Sequence, residues 1–85
     1  MRKEVREIKT LIADSFGITV EQMDSRRRKA EFVVPRHLAM FLVRKHLKLS
    51  FPVIGEHFGN RDHTTIMHAV KHAEKILTGL KDWKS

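Results

Sequence analysis

The chain has 85 residues, and we expect residues 1–85 to form one small domain around a single hydrophobic core. It contains no cysteine, which excludes a disulfide framework and thiolate metal ligands. Seventeen Lys and Arg against ten Asp and Glu give a formal net charge of +7, and so basic a domain attracts DNA, RNA or an acidic membrane. No stretch approaches the roughly 18 apolar residues of a membrane span, and the first residues lack the apolar run of a signal peptide.

An amphipathic first helix is predicted within residues 1–17. Its apolar residues recur at helical spacing: Val5, Ile8, Leu11, Ile12 and Phe16. Gly17 follows as a natural C-terminal residue, because glycine adopts the left-handed conformation without strain. Thr19 can cap a short second helix, with Gln22 three positions later as its capping-box partner.

A basic loop is predicted over residues 25–34. Ser25 is followed by four basic residues, Arg26–Lys29, with no apolar side chain among them. Pro35 suits the first turn of the third helix, because that turn needs no N–H donor. This helix is predicted to run to about Lys48, with its helical spacing marked by Leu38, Phe41, Leu42, Lys45 and Leu49.

Residues 50–80 are predicted to form a helix-turn-helix. Ser50 can cap a fourth helix that has Pro52 in its first turn. Gly59-Asn60 then tolerates the positive φ angles of a tight corner, and Asp62 can cap the last helix. No alternating apolar pattern of strand length occurs along the chain. The sequence therefore predicts an all-α fold, a compact helical bundle containing a helix-turn-helix.

The last helix separates its residues by face when they are placed at 100° intervals. One face is apolar: Ile66, Ala69, Val70, Ala73, Leu77 and Leu80. The opposite face holds Thr64, His68, Lys71 and Lys75. Short polar groups followed by cations suit a major groove, where the first turn meets base edges and later positions meet phosphates. An ordinary amphipathic surface helix has the same periodicity, so this pattern alone leaves both interpretations open.

Four motifs together favour a DNA-binding helix over an ordinary amphipathic surface helix. The recognition helix opens with Gly59-Asn60-Arg61-Asp62-His63-Thr64-Thr65-Ile66, and three stretches precede it in order: Ser25–Arg28, Pro35–Leu42 and Ser50–Phe58. They resemble the signature, the basic loop and the two preceding helices of the C-terminal DNA-binding domain (domain IV) of the DnaA family of bacterial replication initiators. The resemblance covers residues 5–78, nearly the whole chain.

The resemblance implies a TrpR-like domain that binds double-stranded DNA sequence-specifically, at A·T-rich boxes of a replication origin. The recognition helix would enter the major groove and the basic loop the minor groove. Base contacts would come from Arg28, Arg61, Asp62, His63, Thr64, Thr65 and His68. Phosphate contacts would come from Arg26, Arg27, Arg44, Pro52 and Lys71. These assignments are chemically reasonable, since a carboxylate accepts from cytosine N4 and arginine enters a narrow A·T minor groove well.

The expected partner is double-stranded DNA, bound by a monomer in the bacterial cytoplasm at the nucleoid. Residues 2–16 combine an apolar stripe with basic flanks, and packing of that stripe on the core is the favoured interpretation. Acidic phospholipid bound through residues 2–16 is the alternative, a candidate second partner. Two other interpretations stay open, a stand-alone DnaA-related regulator and a basic amphipathic module that binds a membrane or a protein partner. RNA is disfavoured because stacking aromatic residues are scarce.

No enzymatic activity is expected of this chain. It has no Gly-x-x-x-x-Gly-Lys-Ser/Thr phosphate loop, so ATP is expected only for the ATPase module of a parent protein, and no cofactor for this chain. Asp62, His63 and Thr64 are adjacent on a predicted helix, and adjacent helical residues do not face one another as a catalytic set would. His68 and His72 share a face and could hold a metal, but without cysteine or a His-Glu-x-x-His motif no metal is expected.

Overall fold

The structure, a computed structural model, describes the backbone of residues 2–83 and the side chains of residues 4–79. Five α-helices follow one another: α1 (Arg2–Phe16), α2 (Val20–Asp24), α3 (Ala30–Leu47), α4 (Phe51–His57) and α5 (His63–Trp83). The part of the chain that is described contains no strand, which confirms the all-α prediction. None of the helices within residues 2–83 combines the length and the apolar character needed to cross a bilayer.

The core lies around α3, which packs against α5 on one side and α1 on the other. Its largest fully buried side chains come from every helix: Phe58, Met23, Met40, Ile54, Ile66, Val5, Val43 and Pro35. The apolar stripe predicted for the last helix is buried at Ile66, Ala69, Val70 and Ala73, while Leu77 is 39% exposed. The helix therefore uses its first three turns to close the bundle. The side chain of Leu80 lies outside the described residues.

The predicted caps are present. Thr19 and Gln22 form a reciprocal capping box, in which each side-chain oxygen accepts from the other residue's N–H at 3.0 and 2.9 Å. Ser50 accepts from the N–H of Val53 at 3.4 Å, and Asp62 accepts from the N–H of Thr64 at 3.0 Å. These bonds satisfy N–H groups that have no partner inside their helices.

The start of the third helix was predicted wrongly. Helix α3 begins at Ala30, so the basic loop covers residues 25–29 rather than 25–34, and Pro35 lies inside the helix. The N–H groups of Phe32 and Val33 both donate to the carbonyl of Lys29 at 2.9 Å, which closes an earlier first turn. Burial of Phe32 and Pro35 favours this start and offsets the helical hydrogen bond that proline cannot donate.

The corner of the helix-turn-helix depends on a close approach of two backbone segments. Gly59 and Asn60 adopt the predicted positive φ angles of 74° and 56°. The turned chain then brings the N–H of Arg61 to within 2.9 Å of the carbonyl of Gly55 in α4. A methyl group on Gly55 would overlap the carbonyl oxygen of Arg61. Glycine at position 55 therefore allows the start of α5 to lie this close to α4.

We expect Gly55→Ala to lower the free energy of unfolding by about 1–3 kcal/mol, because the added carbon forces two backbone segments apart. Gly79→Ala is the matched control, since nothing lies within 4 Å of its Cβ position. There the same change should stabilise the protein by up to about 1 kcal/mol through helix propensity. Urea denaturation of both variants measures the difference, and equal effects at the two positions would contradict the close approach.

Candidate nucleic-acid interface

The first turns of α5 present a polar surface to solvent. Five residues predicted to contact bases are exposed there: Asp62, His63, Thr64, Thr65 and His68. Ile66 and Ala69 point into the core at 0% and 2% exposure, so the helix cannot turn this face inward without unburying them. The exposed face therefore carries the donors, acceptors and methyl groups that a base edge requires.

Asp62 is ionised at this surface. The backbone N–H of Thr64 donates to its carboxylate at 3.0 Å, and this hydrogen bond lowers the pKa of Asp62 below its ordinary value. Nδ1 of His63 lies 3.6 Å from the other carboxylate oxygen. Asp62 is thus a fixed acceptor at the start of the recognition helix, with His63 beside it.

The basic loop lies next to the corner. Nη2 of Arg26 donates to the carbonyl of Gly59 at 2.9 Å, so this predicted phosphate ligand already has a partner. Arg27 and Arg28 are exposed. The side chain of Arg28 makes no hydrogen bond to any residue that the structure describes. Arg27 and Lys29 share this exposure and this lack of a described side-chain partner, whereas Arg26 is bonded to the corner.

Two of the remaining predicted phosphate ligands line a cleft between α3, α4 and α5. Arg44 and Lys71 both line it, together with Lys45 and Lys48. The guanidinium of Arg44 lies 4.4 Å from the centre of the Phe51 ring and donates to the carbonyl of Leu49 at 2.7 Å. Pro52 is exposed directly after Phe51. The structure thus brings these predicted phosphate ligands to one edge of the domain.

Arg61 lies apart from the other residues predicted to contact bases on α5. Its guanidinium points inward, where Nη1 donates to the carbonyls of Asp24, at 3.1 Å, and Phe58, and Nη2 donates to that of Ser25. Burial lowers the pKa of Arg61 below its ordinary value, although the group stays charged. Arg61 is therefore not grouped with the exposed side chains that follow it.

Sequence reasoning missed Arg36, the second inward-facing arginine. It is 5% exposed, and its guanidinium donates to the carbonyls of Met23, Ser25 and Arg27. Burial is also the main cause that lowers the pKa of Arg36. A signal existed in the sequence, because position 36 lies in helical phase with Phe32 on the buried face of α3.

A buried ion pair supports the same region from α1. Nζ of Lys9 donates to Oδ2 of Asp24 at 2.8 Å and to the carbonyl of His57. It also lies 4.6 Å from the centre of the Phe58 ring. Lys9 is 7% exposed, so this cation holds α1 against α2 and the end of α4.

Two histidines link α3 to α5. Nδ1 of His37 lies 2.7 Å from Nδ1 of His72, with the rings edge to face at 4.9 Å. Burial, followed by the charge of His72, lowers the pKa of His37 to about 4. His72 is thus paired with His37 rather than with His68. Among the described residues there is no group of three or more His, Cys, Asp or Glu that could hold a metal ion.

Fold and site together define a helix-turn-helix domain. Residues 5–73 match the family described as bacterial dnaA protein helix-turn-helix. The chain belongs to this family of bacterial DnaA helix-turn-helix domains, which confirms the resemblance seen in the sequence.

Relatives and a solved structure agree with this assignment. The chain is 45% identical over 74 residues to the chromosomal replication initiator protein DnaA of Geobacter metallireducens, covering 87% of this chain and 16% of the relative. It is 44% identical over 70 residues to that of Thermus thermophilus, covering 82% and 16%. A crystal structure of a DNA replication initiation factor superposes with a TM-score of 0.83 at 30% identity, covering 91% of this chain and 24% of the other. The chain spans about a sixth of the length of these DnaA relatives.

The His37–His72 pair generates a pH prediction. The pKa of His37 is about 4 in the folded chain against an ordinary 6.5, so between these values the unfolded chain takes up a proton that the folded one does not. Stability should therefore fall as the pH falls from 6.5 towards 4. The groups facing His37 are His72, Arg36 and Arg61, all of which disfavour its protonation.

His37→Gln should flatten this dependence, measured as the urea midpoint at pH 7 and at pH 5. His46→Gln, which replaces an exposed histidine on the same helix, is the control and should keep the slope of the unsubstituted chain. The same loss of midpoint in all three proteins would show that His37 does not cause it.

Proposed function

We propose that this chain binds double-stranded DNA sequence-specifically, as the DNA-binding part of a bacterial replication initiator acting at A·T-rich boxes of an origin. One observation carries the proposal. Two outward-facing segments, the first turn of α5 and the basic loop, lie side by side, joined by the hydrogen bond from Arg26 to the carbonyl of Gly59. We call these two segments the DNA readers. Its relatives are named chromosomal replication initiator proteins, which supports the same role.

The start of α5 is assigned to the major groove. The ionised Asp62 can accept from cytosine N4, and the methyl groups of Thr64 and Thr65 can pack on thymine methyls. His63 and His68 offer ring nitrogens to base edges or phosphates. These five side chains are exposed on adjacent turns, so a single groove can meet all of them.

The basic loop is assigned to the minor groove, and the cationic edge to phosphates. Arg28, like Arg27 and Lys29, is exposed without a described side-chain partner, and the resemblance to the family assigns Arg28 to the minor groove. Arginine is favoured where a narrow A·T minor groove concentrates negative potential. Arg27, Arg44, Lys71 and the exposed start of α4 at Pro52 are assigned to the backbone on either side. To bind a phosphate, Arg26 would use its other guanidinium N–H groups or give up its hydrogen bond to Gly59.

The other expectations follow from this role. A DNA-binding domain of this kind acts in the cytoplasm at the nucleoid, as a monomer, and without catalysis or a cofactor of its own. ATP belongs to the ATPase module of a parent protein. The matched family supports the non-enzymatic interpretation, because it is a helix-turn-helix family.

The lipid interpretation receives less support. Val5 and Ala13 of α1 are buried, and Ile8 and Ile12 pack against the core, so most of the apolar stripe is already covered. Leu11, at 65% exposure, is the main apolar group left facing solvent. Binding of acidic phospholipid through residues 2–16 stays a prediction, which vesicle sedimentation tests.

Arg28→Ala and His63→Ala should each weaken binding to the cognate box by about 1–3 kcal/mol and reduce its preference over scrambled duplex. The cognate box is obtained by selecting from random duplexes on the purified chain, and affinity is measured by fluorescence anisotropy. Arg6→Ala on α1 removes the same charge outside the proposed interface and should keep the preference. An unchanged preference in the first two variants would refute the site assignment.

Lys71→Ala should weaken cognate and scrambled DNA alike, since a phosphate contact carries no sequence information. The slope of log affinity against log salt should become shallower by about 0.9, the value for one phosphate contact. A salt titration of anisotropy measures this slope. A loss confined to the cognate sequence would mean that Lys71 contacts a base.

A further inference from the structure

Two arginines from other parts of the chain donate to one stretch of backbone, and a third arginine within that stretch donates outward to the corner of the helix-turn-helix. Arg36 comes from α3, Arg61 from the corner of the helix-turn-helix, and Arg26 from the basic loop itself. We call them the arginine clamp. Arg36 and Arg61 hold residues 23–27, which run from the end of α2 into the basic loop, and Arg26 lies within this stretch.

Arg36 binds this stretch from α3. Its Nε donates to the carbonyl of Met23, and its Nη2 donates to those of Ser25 and Arg27, at 2.8 and 3.1 Å. The stretch leaves its helix here and has no neighbouring strand, so these carbonyls need donors from elsewhere. A guanidinium supplies several donors in a rigid planar fork, which a lysine ammonium cannot imitate.

Arg61 joins the same stretch to the recognition corner. It donates to the carbonyls of Asp24 and Ser25 on one side and of Phe58 on the other. A methyl group at Gly59 would lie 3.0 Å from both the Arg61 guanidinium and the carbonyl of Asp24. Because Gly59 has no side chain, the Arg61 guanidinium can lie beside it and reach the carbonyls of the loop.

Arg26 completes the connection in the opposite direction, from the loop to the carbonyl of Gly59 at 2.9 Å. Asp24 is the carboxylate whose charge favours the protonated forms of Arg36 and Arg61. The loop and the corner are therefore cross-linked by hydrogen bonds in both directions, and Arg28, one residue past the clamped stretch, remains exposed.

We propose that Arg61, together with Arg36, is a positioning residue that sets the distance between the two DNA readers, rather than a residue that contacts bases. The proposal rests on the proposed function. With the clamp closed, Arg28 has a fixed place relative to the first turn of α5, so it reaches the minor groove when that turn occupies the major groove. Binding then spends less conformational entropy on ordering the loop.

The first test is a double-mutant cycle between Arg61→Lys and Arg28→Ala on the selected box. A residue acting through Arg28 has little left to lose once Arg28 is gone. Arg61→Lys alone should weaken binding about tenfold, the size of one lost base contact. The double variant should bind within about twofold of Arg28→Ala, the ordinary scatter of additive effects. Two losses that multiply would show that Arg61 contacts DNA independently and would overturn the proposal.

The second test separates the grooves chemically. A G·C pair differs from an inosine·cytosine pair only by the amino group in the minor groove, and thymine differs from uracil only by the methyl group in the major groove. The unsubstituted chain should distinguish both exchanges. Arg61→Lys should lose the amino-group discrimination and keep the methyl discrimination. The reverse pattern would place Arg61 in the major groove.

Folding and function are checked in the same experiments. Arg36→Lys is the second variant, and its fold, like that of Arg61→Lys, is checked by circular dichroism and thermal unfolding. It should reproduce the loss of minor-groove discrimination; retained discrimination in a folded variant would contradict the proposal. If the unsubstituted chain does not prefer the selected box to scrambled duplex, the proposed function itself fails, which is a different result from any of these.

Discussion

The structure depends on how the carbonyl groups of residues 23–27 are satisfied. A loop that joins two helices at an angle exposes carbonyls that neither helix can pair, and leaving them buried without donors is costly. Arg36 and Arg61 provide the donors from two different elements. The same bonds that stabilise the loop also fix its place beside the corner. Stability and the geometry of the interface therefore have one physical origin in this domain.

The distribution of charge follows from this arrangement. The formal charge of +7 suggests a uniformly cationic surface, but three of the basic groups are turned inward. Lys9, Arg36 and Arg61 surround the carboxylate of Asp24 and the neighbouring carbonyls. Apart from Arg6 on α1, the exposed Lys and Arg side chains among residues 4–79 lie instead on the loop, along the cleft between α3, α4 and α5, and on the outer face of α5. Net charge thus favours a polyanionic partner, but it does not separate exposed cations that can bind one from inward-facing cations that hold the fold.

Much of the fold followed from local sequence signals, whereas the missed features are long-range. Capping residues such as Thr19 and Ser50, and the spacing of the apolar residues, depend only on neighbours within one turn, so they were predictable. Two of the three partners of Arg61, the carbonyls of Ser25 and Asp24, lie 36 and 37 residues away, and no local pattern predicts them. Pro35 predicts a later start of α3, whereas the burial of Phe32 favours the start at Ala30. Tertiary burial decided both cases.

Helix α1 is connected to the proposed interface through the carboxylate of Asp24. The ammonium of Lys9 donates to the carboxylate of Asp24, whose charge also acts on Arg36 and Arg61. It donates as well to the carbonyl of His57 at the end of α4. Separating α1 from the bundle would leave the Asp24 carboxylate without its ion-pair partner, beside carbonyls that Arg61 also uses. Breaking a pair of this kind is strongly unfavourable. The orientation of α1 therefore depends on Asp24, whose charge also acts on Arg36 and Arg61, and a force applied to α1 would reach the corner between α4 and α5 through Asp24.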